Sequence, residues 1–134
     1  MTLTLAPDHD QARQEAARLP ALHASFVRLI YGAGVAHVAL YTGSDPDSGT
    51  LLASVLLPGD AVALDEPGLR IVITGAEGLG MVNGVAGCAR IFDADGRWWA
   101  DASVSDQEGD AVIQLENPTI LPGAFVRLFG EFTG

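Results

Sequence analysis

Two kinds of hydrophobic periodicity divide the chain, and the change between them falls near Gly32. Over residues 8–31, apolar residues recur at three- and four-residue spacing, which is typical of an amphipathic helix. Asp8, followed three residues later by Gln11, is predicted to cap the start of this helix, and Gly32 and Gly34 are predicted to end it. The predicted apolar face consists of Ala12, Ala16, Leu19, Leu22, Phe26, Leu29 and Ile30.

Pro20 lies inside this helical pattern. A proline removes one backbone donor and crowds the preceding turn, but it is well tolerated at the first position of a helix. The sequence therefore leaves two alternatives, one helix kinked at Pro20 or two helices of which the second begins there.

From Val35 onward the period changes to two, and the apolar runs are short and rich in β-branched residues, as expected for strands. About eight strands joined by frequent turns predict a mainly β fold, an antiparallel β-sandwich or jelly-roll-like domain, rather than alternating βαβ units. We expect a helical segment over 1–34 and a β-sandwich domain over 35–134. The predicted strands are VAHVALYT (35–42), TLLASVLL (50–57), AVAL (61–64), LRIVIT (69–74), VAGCARIF (85–92), RWWADASV (97–104), AVIQL (111–115) and AFVRLFGEF (124–132).

Composition and charge make some classes of partner improbable. The 134 residues are 49% hydrophobic, which is enough for one domain with a core. Seventeen acidic residues against seven basic ones give a formal charge of -10, and every basic residue is arginine, so we predict no nucleic-acid partner. The N-terminal sequence has neither a basic start nor a long apolar run, and we predict no signal peptide and no membrane insertion.

The segment FDADGRWWADASVSDQEGD, residues 92–110, holds six carboxylates and two adjacent tryptophans. Residues 93–96 have the composition of a tight turn between two strands. An EF-hand loop that began at Asp93 would need a glutamate at its twelfth position, where the chain has Val104. A surface calcium loop around the carboxylates at 106–110 is the alternative, and we predict acidic turns without a metal.

The two tryptophans are predicted to point to opposite faces of one strand, because side chains alternate along a strand. Trp98 shares its parity with alanines and Val104, and Trp99 shares its parity with Asp101 and Ser103. Trp99 is therefore the predicted contact with another subunit or with a sugar ring. The alternative is that Trp99 covers its own sheet edge or packs under the helix.

No arrangement in the sequence indicates catalysis or a cofactor. The glycine run GAEGLGMVNG (75–84) has the spacing G-x-x-G-x-G and no lysine, so we predict a loop between strands rather than a phosphate site. His9, His23 and His37 are not part of a recognised nucleophile motif, and Cys88 lies in an apolar strand as a predicted buried, inert thiol. We predict no enzyme activity, no cofactor and no metal.

Three segments together resemble small virion structural proteins of tailed bacteriophages and prophages, of the tail- or baseplate-associated or the decoration type. They are VALYTGSDPDSGTLLASVLL, GCARIFDADGRWWADASVS and LENPTILPGAFVRLFGEFTG, and the likeness covers roughly residues 29–134. The matching positions are Tyr41, Thr42 and Gly43, then 49–53, then Pro122 and Gly123. These are turn and strand patterns, so the resemblance implies a place in a virion, assembled in the bacterial cytoplasm, rather than a reaction.

We therefore expect a tail or baseplate protein that forms a homo-oligomer, contacts other virion proteins and takes part in the receptor-binding apparatus. The predicted contact residues are Trp99 and the apolar run FVRLF, above all Phe125 and Phe129. A capsid decoration protein is the nearest alternative. A carbohydrate-binding β-sandwich that recognises a host-surface glycan through Trp99 is another, and a host-surface protein is a further possible partner.

Overall fold

The computed structural model describes residues 3, 4 and 6–133. The chain is mainly β with one N-terminal helix, as the periodicity predicts, and each of the eight predicted runs overlaps a strand. β8 is an additional strand that was not predicted. The elements are α1 (Pro7–Ile30), β1 (Ala36–Thr42), β2 (Leu51–Leu57), β3 (Val62–Asp65), β4 (Arg70–Leu79), β5 (Gly84–Phe92), β6 (Trp98–Asp106), β7 (Ile113–Leu115), β8 (Thr119–Ile120) and β9 (Phe125–Thr133).

The strands form one strongly curled sheet in the order β2-β1-β5-β6-β7-β9-β4-β3, and β8 pairs with β5. Curling brings β2 back toward the end of β4, where Ala53 forms a bridge with Gly80 and the N–H of Met81 donates to the carbonyl of Leu52 at 2.8 Å. The result is a half-barrel and not clearly the predicted two-layer jelly-roll sandwich.

One strand pair departs from the antiparallel prediction. β6 and β7 run parallel, with Val104 opposite Ile113. Asp106 begins a turn in which its carboxylate accepts hydrogen bonds from the N–H groups of Glu108 and Gly109. The connection 107–112 then returns the chain far enough for β7 to run in the same direction as β6.

The helix is continuous through Pro20, which favours the single-helix alternative. It begins earlier than predicted, because Pro7 occupies the first turn and Ala6 is the N-cap. In the described part of the chain no side-chain hydrogen bond caps this end, so the prediction that Asp8 is the cap is wrong. Asp8 lies within the first turn instead, where a negative charge is favoured by the helix dipole.

The C-terminal half of α1 closes one end of the half-barrel of its own chain. Leu22 and Leu29 are buried in the common core, and Phe26 and Ile30 pack against it. Ala12, nearer the start of the predicted apolar face, is exposed. No described helix is both long and apolar enough to cross a membrane.

The half-barrel therefore has two distinct ends. At the helix end, α1 meets the turn after β5, and Trp99 of β6 lies between α1 and the end of β9. At the opposite end, which we call the loop end, β4 finishes, β9 begins, and the connections 80–83 and 121–124 lie together. The surfaces described below lie at these two ends.

Candidate functional site

Asp93 is the buried anchor of the helix end. Its Oδ1 accepts hydrogen bonds from the backbone N–H groups of Asp95 at 3.0 Å and Arg97 at 2.9 Å. Its Oδ2 faces two guanidinium groups, with Arg97 Nε at 3.2 Å and Arg28 Nε at 3.5 Å. Gly96 has a φ of 80° within this turn, so the predicted turn at 93–96 is confirmed. The carboxylate joins the turn to the helix.

Backbone hydrogen bonds reinforce this junction. The N–H of Ala94 donates to the carbonyl of Leu29 at 3.0 Å, and the N–H of Gly34 donates to the carbonyl of Ala94 at 2.7 Å. The carboxylate of Asp95 accepts the N–H of Ala33 at 3.0 Å. These bonds fix α1, the connection 31–35 that follows it and the turn between β5 and β6 in one arrangement.

The ionisation of Asp93 reflects these contacts. Burial alone would raise the pKa of its carboxyl group, but the backbone N–H groups of Arg97 and Asp95, with the guanidinium groups of Arg97 and Arg28, bring the pKa below the ordinary 3.8. Asp93 is therefore a carboxylate at neutral pH, and the protein is more stable when it is ionised.

A β-bulge at the start of β6 reverses the faces predicted for the two tryptophans. Pairing with β5 passes from Ile91–Ala100 to Phe92–Trp98 and skips Trp99. The extra residue shifts the alternation of side chains. Trp98 therefore shares the outer face with Phe92 and is 59% exposed, so the predicted face assignment is wrong.

Trp99 packs under the helix instead, as in the alternative considered for it. Its Nε1–H donates to the backbone carbonyl of Ser25 at 3.1 Å, and its ring meets Phe132 edge to face with centroids 5.3 Å apart. Trp99 is partly buried against the core. Its large contact area connects α1 to β6 and β9.

The exposed tryptophan, Trp98, is held in a fixed orientation. Its Nε1–H donates to Asp101 Oδ1 at 3.0 Å, and the Arg90 guanidinium carbon lies 4.6 Å from the ring centroid. Arg90 also donates to both oxygens of Asp101, at 2.8 and 3.1 Å, and to Asp47 at 2.9 Å. The hydrogen bonds from Arg90 hold the pKa of Asp101 below its usual value. A side chain restrained in this way loses little further freedom on binding a partner.

Trp98 also lies at the end of a row of four side chains, three of them aromatic rings, that crosses four strands on the outer face of the sheet. Leu56, His37, Phe92 and Trp98 are successive cross-strand neighbours. His37 and Phe92 stack with ring centroids 4.7 Å apart and an angle of 18° between the rings. His37 is thus part of an aromatic surface.

A groove runs between α1 and the first half of β6. It has a volume of about 620 Å³. Its lining combines the two indole rings with one guanidinium group, in the set Ala24, Ser25, Arg28, Trp98, Trp99 and Ala100. The sequence prediction missed this groove, because its formation depends on the bulge and on where the helix docks.

The second notable surface is an exposed apolar cluster at the loop end. We call it the apolar tip. Leu79 and Phe125 are cross-strand partners, and Phe125 is 82% exposed. The complete set is Leu79, Met81, Val82, Leu121 and Phe125, all of them exposed.

Two connections hold the apolar tip in shape. The N–H of Gly80 donates to the carbonyl of Ala124, and the N–H of Gly123 donates to the carbonyl of Gly80, both at 2.9 Å. A Cβ at Gly80 would overlap the carbonyl oxygen of Leu121, so glycine is what allows this approach. The predicted loop over 75–84 is therefore wrong in extent, since β4 continues to Leu79 and only 80–83 connect it to β5.

Phe129 lies further along β9, outside the apolar tip. It is partly buried, and the guanidinium carbon of Arg127 is 5.4 Å from its ring centroid. It lines an open depression of about 670 Å³ with residues of β4 and the connection before β7. The two predicted contact phenylalanines thus belong to different surfaces, and Phe125 is the more exposed.

The remaining candidate chemical groups are dispersed. His9 and His23 are exposed on the helix, far along the chain from His37 on β1. Cys88 is buried, and burial together with the nearby Asp45 and Asp101 raises the pKa of its thiol. Among the described residues, no group of three or more His, Cys, Asp or Glu side chains is placed to hold a metal ion.

Comparison with known proteins gives no relative. No protein-family model matches the chain, and neither the curated proteins nor the solved structures contain a match.

Proposed function

We propose that the chain is a non-enzymatic structural protein of a bacteriophage virion, located in the tail or baseplate, that assembles with copies of itself through the apolar tip. The observation that carries the assembly step is the exposure of five large apolar side chains at one end of the molecule. Contiguous exposed apolar surface of this kind commonly marks a protein–protein contact. The sequence resemblance supports the virion setting.

The charges around the apolar tip favour a second copy as the occupant. Each copy carries a formal charge of -10, so copies meet most easily through surface without net charge. Beside the Leu79–Phe125 pair lies a second cross-strand pair, Glu77 and Arg127, exposed and 3.8 Å apart. A twofold axis at the tip would bring Glu77 of one copy toward Arg127 of the other, which makes this rim self-complementary.

Replacing Phe125 by serine tests the assembly step. We expect the dissociation constant of the homo-oligomer to rise on the order of thirtyfold, as for an aromatic interface anchor. Because Phe125 is 82% exposed in the single chain, the fold should be retained. Sedimentation velocity across a range of protein concentrations measures the change.

Tyr31→Ser is the matched control, since Tyr31 is an aromatic residue that is 67% exposed at the helix end. It should leave association unchanged. If the unaltered protein is monomeric at all concentrations, or if both variants weaken association equally, the apolar tip is not the contact.

The position in the virion needs a separate experiment. Electron microscopy of purified particles, with an antibody against this chain, should label the tail or baseplate. Label distributed over the head lattice would support the decoration alternative instead. Particles without label would overturn the virion proposal, whatever the association measurements show.

A further inference from the structure

The groove between α1 and β6 has the size and lining of a site for a small ligand. Its volume of about 620 Å³ falls within the range of about 300–1,000 Å³ found for ligand pockets. Strand β6 contributes aromatic rings, and helix α1 contributes a cationic group and Ser25. The ligand must therefore offer both an apolar face and an acceptor.

Trp98 provides the apolar contact. Arg90 lies over one face of its indole ring, and Asp101 binds the ring nitrogen. The ring is still 59% exposed and lines the groove, so a ligand would stack on the face away from Arg90. The face of an indole ring is electron-rich and attracts polarised C–H groups. One side of a pyranose ring presents several such C–H groups, while its hydroxyl groups point outward.

Arg28 provides the charged contact. Its side chain is 54% exposed, and among the described residues its guanidinium group meets only Asp93, through Nε at a long 3.5 Å. The terminal nitrogens are therefore free to donate two parallel hydrogen bonds to a carboxylate, the arrangement that a guanidinium group favours.

We propose that this groove binds a pyranose that carries a carboxylate, with the sugar ring stacked on Trp98 and its carboxylate held by Arg28. A single terminal acidic sugar suits the site better than a densely charged polymer, which the formal charge of -10 would repel. The groove lies at the helix end and the apolar tip at the loop end, so this site does not depend on the proposed assembly.

The experiment uses two probes that differ only in the carboxylate, methyl glucuronide and methyl glucoside. Each is titrated into the ¹⁵N-labelled chain, and the indole N–H resonances are followed. The glucuronide should shift the Trp98 signal and bind at least about tenfold more tightly than the glucoside, since hydrogen bonds to a charged group are the stronger kind.

Two variants assign the contacts. Arg28→Gln should remove the preference for the glucuronide, while Arg97→Gln should keep it, because Arg97 faces the same Asp93 but does not line the groove. Trp98→Ala should abolish binding of both sugars. Phe125→Ser should bind as the unaltered protein does, which separates this site from the apolar tip.

Several results would overturn the proposal. Equal affinity for the two sugars, or no shift with either, would remove the acidic-sugar ligand. An equal loss of preference in Arg28→Gln and Arg97→Gln would show that the Asp93 junction, and not a direct contact with Arg28, produces it. If acetate competes as well as the glucuronide, the groove recognises a bare carboxylate rather than a sugar.

Discussion

Replacing Asp93 by alanine is expected to lower the melting temperature by about 10 °C at pH 7, because a fully buried carboxylate that accepts from four donor groups is removed. The two backbone N–H groups that it accepts from would lose their partner in the turn. The guanidinium groups of Arg28 and Arg97 would lose the carboxylate that joins the helix to the hairpin. Differential scanning calorimetry measures the change.

Asp93→Asn separates the two oxygens of this anchor. An asparagine keeps an acceptor in the place of Oδ1, which serves the backbone, but puts an amide donor in the place of Oδ2, which faces Arg28 and Arg97. Asp93→Asn should therefore lower the melting temperature, but by less than Asp93→Ala does. Asp95→Asn is the control, since Asp95 is exposed in the same turn and its amide oxygen can still accept from Ala33. An equal effect of Asp93→Asn and Asp95→Asn would contradict the role of Asp93 as the anchor.

The melting temperatures of the unaltered protein and of Asp93→Asn should depend differently on pH. The pKa of Asp93 is lower in the folded chain than the 3.8 expected when unfolded. A carboxyl group of this kind stabilises the fold above the unfolded value, and the contribution is lost as the pH falls from there through the folded value. The melting-temperature gap between the unaltered protein and Asp93→Asn should thus be constant near neutral pH and narrow below about pH 4. A melting-temperature gap that stays constant down to pH 3 would show that the ionised form of Asp93 does not stabilise the fold.

The elements of the fold could largely be predicted from local pattern. The change of period near Gly32 separates α1 from the strands, and each of the eight strand predictions falls on a strand. Local pattern predicts the structure less well where an adjacent residue or a distant strand determines the conformation. Asp8 has the right composition for a cap, but Pro7 occupies the first turn and moves the helix start. The parallel pairing of β6 with β7, and the return of β2 to Gly80, depend on distant partners that periodicity does not specify.

The candidate sites were harder to predict than the fold for the same reason. Phe125 was predicted as a contact residue because it belongs to the apolar run FVRLF, a pattern that is visible locally, and the structure adds that its side chain is 82% exposed. Leu79, Met81 and Val82 come from a segment that the sequence indicated only as a glycine-rich loop, and Leu121 comes from the turn before β9. The tip exists because these two connections are hydrogen-bonded to each other. The groove needs Arg28 from the helix beside Trp98 from a strand, and no spacing in the sequence links them.

Exchanging Trp99 for alanine should lower the free energy of unfolding by about 3 kcal/mol, whereas the same exchange at the adjacent Trp98 should cost less than about 1 kcal/mol. Trp99 packs against the core, meets Phe132 and donates to Ser25 on the helix, so its removal leaves a cavity beneath α1. Trp98 is 59% exposed and held by surface contacts to Arg90 and Asp101. Urea denaturation followed by circular dichroism gives both values.

The order of the two effects tests the β-bulge directly. Without the extra residue at Trp99, the alternation along β6 would bury Trp98 with Ala100, and Trp98→Ala would be the damaging change. A larger loss for Trp98→Ala than for Trp99→Ala would therefore contradict the bulge, and the groove proposed for an acidic sugar would lose its aromatic wall. The expected order has a practical consequence as well. Because Trp98→Ala leaves the fold nearly as stable as before, a loss of sugar binding in that variant reports on the contact itself.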